Sequence, residues 1–222
     1  MKVKEMTIRI GDVAPDFVAQ TTHGVIEFHE WLDNSWAVFV SHPKDFTPIC
    51  TTELGMMASM QSQFDSRGVK LIGHSIDPVS EHLRWMGDIA ETQGASIQFP
   101  IIGDEFLEVA KLYEMLPESA LPGVRSIADN ATVRITFIVN PEKKICCISH
   151  YPMSVGRNFN EVLRMLDSLQ LTVKCKVATP VNWVPGGDVV IPPSISDEAA
   201  KEMFPNGWES PRPYLRMMSC PR

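Results

Sequence analysis

Short apolar runs alternating with helix-patterned stretches constrain this chain more than any other feature. Ala37-Val38-Phe39-Val40 and Val69-Lys70-Leu71-Ile72-Gly73-His74-Ser75-Ile76 have the length and the β-branched or aromatic content of buried strands. Between them, Leu54, Met57, Ala58 and Phe64 recur at helical spacing, so Thr51 to Phe64 is predicted to be a helix. Asp77-Pro78 ends the second run, and Ser80 to Ala90 reads as another helix with Leu83, Met86 and Ala90 turned inward. A short apolar piece, Phe99 to Ile102, follows the break at Gly94 and leads to a helix from about Glu105 to Tyr113.

The stretch Leu116 to Gly123 reads as a loop from its prolines and glycine. Val133 to Val139 and Ile145 to His150 are expected to form a hairpin around Asn140-Pro141-Glu142-Lys143. In the helix expected from Asn158 to Leu169, Phe159, Val162, Leu163, Leu166 and Leu169 share one apolar face. Strands alternating with helices, then a hairpin and a helix, predict an α/β sandwich with a mixed sheet. Beyond about Leu171 the chain is proline-rich, with Gly186-Gly187, Pro192-Pro193 and one short helix near Asp197 to Phe204. We therefore expect a main domain over residues 1–170 and a carboxy-terminal arm over residues 171–222, packed on its own domain or on a partner subunit.

Charge and cysteine usage exclude several function classes. A formal net charge of -7, from 27 acids and 20 bases, leaves no cationic face for nucleic acid. The stretch MKVKEMTIRIGDVAPDF has no apolar core of signal-peptide length, and no apolar run reaches membrane-spanning length. A soluble, cytoplasmic protein is expected, with no membrane partner. Five cysteines suit no closed disulfide framework. Cys146 and Cys147 are adjacent, the others are far apart and no C-x-x-C pair exists, so no metal site is expected on them. Nothing in the chain calls for a cofactor.

Cys50 stands out by position. Thr47-Pro48 is a helix-start signal, a hydroxyl at the N-cap and proline at the first helical position. Cys50 then falls in the first turn, where unpaired backbone N–H groups favour a thiolate. The preceding strand end sets it at the carboxyl edge of the sheet, where α/β folds place their sites. On these grounds Cys50 is either a nucleophile or a buried, inert thiol.

The residues around Cys50 carry a family resemblance. Pro43-x-x-x-Thr47-x-x-Cys50 resembles the P-x-x-x-T-x-x-C signature of peroxiredoxins, thiol peroxidases with a thioredoxin-like fold. SHPKDFTPICTTELG, ATVRITFIVNPEKK, VGRNFNEVLRMLDSLQL and VATPVNW are all similar to the one-cysteine, peroxiredoxin-6-type branch, and together span nearly the whole chain.

The resemblance implies a thioredoxin-like fold with a mixed central sheet and an arm, and reduction of hydrogen peroxide and organic hydroperoxides. Cys50 would be the nucleophile that becomes a sulfenic acid. Thr47 would bond sulfur and peroxide, Pro43 would shield the pocket, and Arg134 would stabilise the thiolate and polarise the leaving oxygen. Glu53 and Arg157 match residues that orient this network. His42 matches a histidine close to the reactive sulfur.

The sulfenic acid must then be reduced. Two-cysteine relatives use a V-C-P segment, but here the region reads Val177-Ala178-Thr179-Pro180. Cys146 and Cys147 lie in an expected strand, so at least one is expected in the core. Cys220, near the end of the arm, is a possible resolving thiol, and Cys175 a weaker one. Otherwise an external thiol, glutathione or thioredoxin, would serve. The resemblance also implies a homodimer or a ring of dimers.

Two rival readings are weaker. Some peroxiredoxin-6-type proteins carry a phospholipase serine in G-x-S-x-G. Here the stretch is Asp33-Asn34-Ser35-Trp36-Ala37, without either glycine, and Glu142 replaces the aspartate that would join His29. The other rival is a redox-gated scaffold or chaperone.

Overall fold

The computed structural model describes residues 7–116 and 132–221. Most of the loop expected between Leu116 and Gly123 lies outside them. The chain divides after Arg157 into two compact units.

The first unit is built on a seven-stranded sheet of order β2-β1-β5-β4-β3-β6-β7. Its elements are β1 (Val18–Thr21), β2 (Gly24–Glu27), α1 (Phe28–Leu32), β3 (Trp36–Ser41), α2 (Pro48–Ser59), α3 (Gln61–Asp65), β4 (Val69–Ser75), α4 (Val79–Gln93), β5 (Ile101–Gly103), α5 (Glu108–Leu112), β6 (Arg134–Val139) and β7 (Ile145–Tyr151). Strands β3, β4 and β5 run parallel because helices carry the chain back between them. The pairs β3–β6, β6–β7, β1–β2 and β1–β5 are antiparallel, so the sheet is mixed, as the alternation of elements predicts.

Alternation along β3 decides what each face of the sheet carries. Ala37 and Phe39 point into a core with Phe17, Phe28, Tyr113 and Phe137, where Phe17 stacks on Phe28 at 4.8 Å and the other rings meet edge-on or tilted, Phe39 and Tyr113 at 5.1 Å. Val38, Val40 and, one step beyond the strand, His42 point to the other face. There the His42 ring meets Trp85 of α4 at 5.2 Å.

Four local readings are corrected. The helix expected over Thr51–Phe64 is two helices, interrupted at Met60. The inward face of α4 is His82, Trp85 and Ile89, while Leu83 is 54% exposed. Trp85 is among the largest fully buried side chains, and the His82 ring finds hydrogen-bond partners for both nitrogens in Asp45 and the Ile102 carbonyl, so this face turns inward in place of Leu83. In β7, Ile138 faces Cys147 and Val139 faces Ile145, so Cys146 is the extra residue of a β-bulge. The bulge breaks the strict alternation, and both Cys146 and Cys147 are only partly buried rather than core. The hairpin β1–β2 had no expectation attached to it, being four residues per strand and mostly exposed.

The second unit comprises α6 (Phe159–Cys175), β8 (Val189–Val190), α7 (Asp197–Met203), β9 (Glu209–Arg212) and β10 (Leu215–Met218). Asn158 caps α6, its side chain accepting from the backbone N–H of Asn160 and of Glu161. The proline-rich arm has a small core of its own: Val177, Trp183, Val189, Ile191, Ala200 and Phe204. Strands β8, β10 and β9 form a three-stranded sheet beside it. The buried Arg216 pins the segment before α7, donating to the carbonyls of Pro192 and Ile195 and to Asp197, each at 2.7 Å. Among the described residues, no helix is long and apolar enough to cross a membrane.

Candidate active site

Strand β3 ends at Ser41, and the chain passes through Pro43 to enter α2 at Pro48. Thr47 is the N-cap and Pro48 opens the helix, as their sequence predicts. The Thr47 hydroxyl does not cap, however. It donates instead to the Lys44 carbonyl at 2.8 Å, closing the turn that precedes the helix. Thr47 is held by its other side as well, since its carbonyl accepts from the Thr51 backbone N–H and hydroxyl at 2.9 and 2.8 Å.

Cys50 occupies the third position of α2, with its side chain 0% exposed. The sulfur is thus covered rather than open at the edge of the sheet. Pro43, on the turn before the helix, is buried too. Arg134, at the start of β6, places Nη1 at 3.3 Å from Cys50 Sγ. The same nitrogen donates to Glu53 Oε2 at 2.7 Å, and Nε and Nη2 both donate to the Met153 carbonyl, at 3.0 and 2.8 Å. With its donors so committed, the guanidinium has a fixed direction.

Glu53, one turn beyond Cys50, bridges Arg134 to Arg157. Arg157 reaches Glu53 Oε1 through its backbone N–H at 2.7 Å and Nε at 3.0 Å, and Oε2 through Nη2 at 2.8 Å. Its Nη1 donates to the Ile135 carbonyl at 3.0 Å. All three side chains are at least nine-tenths buried. Burial alone would raise the Glu53 carboxyl, but the hydrogen bonds and charge of Arg157, then the charge of Arg134, override it and lower it. Two guanidinium groups and one carboxylate leave one net positive charge beside the sulfur, which one thiolate would balance.

The structure thus brings Cys50, Glu53, Arg134 and Arg157 into one bonded group, with Thr47 and Pro43 on the adjoining turn. His42 is fully buried and hydrogen-bonded to Asp45 at 2.7 Å. Sequence reasoning passed over three parts of this region: the Met153 carbonyl that anchors Arg134, and Asp45 and His82, which join His42. His82 had a signal, because it shares the i, i+3, i+7 stripe of Trp85 and Ile89.

The remaining cysteines lie elsewhere. No disulfide is present among the described residues. Cys175 and Cys220 pack, partly buried, against the core of the second unit, and Cys220 Sγ lies 3.6 Å from the Pro221 carbonyl. Burial raises the Cys146 thiol. The hydrolase reading finds no triad. His29 Nε2 is 2.7 Å from the Ala14 carbonyl, which requires that nitrogen to donate, and the exposed Glu142 pairs with Lys144 at 3.6 Å.

Comparison with known proteins gives one consistent result. Residues 10–147 match the AhpC/TSA family, and residues 168–207 match the C-terminal domain of 1-Cys peroxiredoxin. A 1-Cys peroxiredoxin of Dictyostelium discoideum is 48% identical over 215 residues, covering 96% of this chain and 86% of that protein. Peroxiredoxin-6 of Homo sapiens is 44% identical over 226 residues, covering 96% and 97%.

Among solved structures, a cysteine-to-serine mutant of the peroxiredoxin 6 of Arenicola marina superposes with a TM-score of 0.89 at 42% identity, covering 97% of this chain and 99% of that one. A yeast mitochondrial 1-Cys peroxiredoxin, described for thiol resolution via glutathione and thioredoxin systems, gives 0.90 at 47% identity, covering 96% and 100%. The chain belongs to the peroxiredoxin family, in its one-cysteine, peroxiredoxin-6-type branch, and is a thiol peroxidase.

Proposed function

We propose that Cys50 is the sulfur that reduces the peroxide, with Arg134 as its electrostatic partner. The observation that carries this is the 3.3 Å approach of Arg134 Nη1 to Cys50 Sγ, in a guanidinium held on its other sides by Glu53 and Met153. A fixed cation beside the sulfur favours the nucleophilic thiolate and stays in place for the negative charge that develops on the departing oxygen. The thiolate attacks one peroxide oxygen; the S–O bond forms and the O–O bond breaks. Sulfur loses two electrons, and the other oxygen leaves as hydroxide or alkoxide and takes up a proton.

The Thr47 hydroxyl donates its hydrogen bond to the Lys44 carbonyl, so its oxygen is left to accept from the peroxide O–H. Glu53 and Arg157 act through Arg134 by fixing its plane. Pro43 contributes an apolar, N–H-free wall. The substrates are hydrogen peroxide and organic hydroperoxides.

An external thiol, glutathione or thioredoxin, closes the cycle in this reading. It condenses with the sulfenic acid, releasing water and forming a mixed disulfide that a second thiol reduces. The yeast relative supports this choice, and so does the placement of Cys220, which sits against an apolar core rather than at a free end. The working form is a homodimer or a ring of dimers, and the compartment is the cytoplasm.

The test is mass analysis of the reduced protein after one equivalent of hydrogen peroxide, with a sulfenic-acid trap. Cys50→Ser should abolish trapping and Cys220→Ser should leave it. Trapping that survives in Cys50→Ser would overturn the assignment. A Cys50–Cys220 disulfide after turnover would replace the external thiol with an internal one.

A further inference from the structure

Cys146 and Cys147 are adjacent in β7, and peroxide reduction at Cys50 uses neither. In a regular strand neighbouring side chains point to opposite faces, and two such sulfurs could hold nothing in common. The bulge changes that. Val139 faces Ile145, Ile138 faces Cys147 and Phe137 faces Ile148. Ile145 and Ile148 both pack on the core that holds Phe137 and Val139. Core-facing residues are thus three apart here instead of two. Both residues between them, Cys146 and Cys147, turn away from that core, towards the face of Ile138.

The pair is also placed to be reached. Strand β7 is the last of the sheet, and both cysteine side chains are partly exposed, with neither in a disulfide. On the outer side of β7, Gly11 and Asp12 bond the backbone of Ile145 at 2.8 and 3.0 Å, and the bulge starts at the next residue. Cys146 Sγ bends back to 3.5 Å from the Lys144 carbonyl. The two Cα atoms are about 3.8 Å apart, as across any trans peptide. Burial raises the Cys146 thiol and the charge of Cys147 adds to it, so the two sulfurs feel each other. A raised thiol stays protonated at neutral pH and reacts slowly with peroxide, which keeps Cys146 reduced where Cys50 is oxidised. Register also separates the pair from the peroxide site. Cys147 stands opposite Ile138, four residues along β6 from Arg134, or about 13 Å.

We propose that Cys146 and Cys147 form a vicinal dithiol site for trivalent arsenic compounds, soft electrophiles that close a ring through both sulfurs. With an aryl arsenoxide, two S–As bonds form and the As=O bond breaks. The oxygen leaves as water with both thiol protons, and nothing is oxidised or reduced. The second S–As bond closes within the chain, at a high effective concentration, so a monothiol such as glutathione displaces the arsenical poorly. The competing pair is Cys175 and Cys220, which pack on the same small core of the second unit.

The test uses the full, reduced chain with one equivalent of phenylarsine oxide and excess glutathione, read by intact mass. A one-to-one adduct that has lost one water and resists glutathione is expected. Peptide mapping of the wild-type adduct should find Cys146 and Cys147 protected from alkylation, and Cys50, Cys175 and Cys220 alkylated. In Cys146→Ser and in Cys147→Ser, glutathione should displace the arsenical about 10²-fold more readily or better, while Cys220→Ser retains it. The absence of a glutathione-resistant adduct overturns the proposal. So does an adduct that survives in Cys146→Ser, or one that is lost in Cys220→Ser or Cys50→Ser. Should a serine variant not fold, the wild-type map decides.

Discussion

Replacing Glu53 by glutamine tests the arginine bridge most directly. The carboxylate accepts four hydrogen bonds, from Arg134 Nη1, Arg157 Nη2, Arg157 Nε and the Arg157 backbone N–H, at 2.7, 2.8, 3.0 and 2.7 Å. Glutamine has the same shape but only one oxygen. Whichever way its amide turns, two donors that met one carboxylate oxygen meet an NH2 group, and two buried guanidinium groups lose their shared counter-charge. Breaking one partner of a buried ion pair costs about 3–5 kcal/mol. In a chain of this size each kcal/mol lowers the melting temperature by about 2–4 °C, so the loss should be about 6–20 °C.

The control is Glu161→Gln, which removes a partly exposed pair with Arg164 at 2.6 Å and should cost no more than about 0.5 kcal/mol. Both are measured on reduced protein by thermal unfolding at pH 7. A melting temperature for Glu53→Gln no lower than that of Glu161→Gln would refute the claim that this bridge holds the site together. The deficit should also depend on pH. The Glu53 carboxyl is lowered in the folded state, so its contribution is present above the unfolded value and is lost as pH falls through the folded one.

Arg134→Met should slow oxidation of Cys50 by hydrogen peroxide about 10²–10³-fold in stopped-flow measurements, the usual loss for a preorganised donor; a change under threefold would remove Arg134 from the chemistry. Acid should destabilise the fold in two windows. His42, lowered by burial, takes up its proton only in the unfolded chain just below about pH 6.5, and Asp45, held at about 2, loses its contribution as pH falls from about 4 towards 2. Urea midpoints from pH 8 to 3 should fall across both, and His42→Gln should flatten the upper one. Gly103→Ala should cost about 1–3 kcal/mol, because a Cβ there would lie 2.7 Å from the Val79 backbone nitrogen. Gly87→Ala, in the exposed face of α4 with nothing within 4 Å, should instead stabilise by up to about 1 kcal/mol in the same urea assay.

Much of this site is legible in the chain because its parts are local. A strand end, Thr47, Pro48 and a first-turn cysteine lie within ten residues, and the caps and proline that shape them act through neighbouring backbone. Glu53 follows one turn later on the same helix. The α/β class is equally visible, since periodicity of two or of 3.6 is written in short windows. Chain separation hides the rest. Whether Arg134 and Arg157 meet Glu53 depends on β6 pairing with β3, a contact across more than eighty residues that no window spans.

Burial is decided the same way. The first-turn position marks Cys50 as reactive, yet only the packed structure covers it completely, and only it turns the Thr47 hydroxyl back to Lys44. In α4, burial of Trp85 and the hydrogen bonds of His82 to Asp45 and the Ile102 carbonyl overrode hydropathy. In β7, a bulge broke the alternation at Cys146. The sequence by itself determined which sulfur sits at a helix start and what family surrounds it. The tertiary structure alone decided which charges converge on that sulfur, because those charges come from distant strands and take their direction from the bonds that long-range packing lets them make.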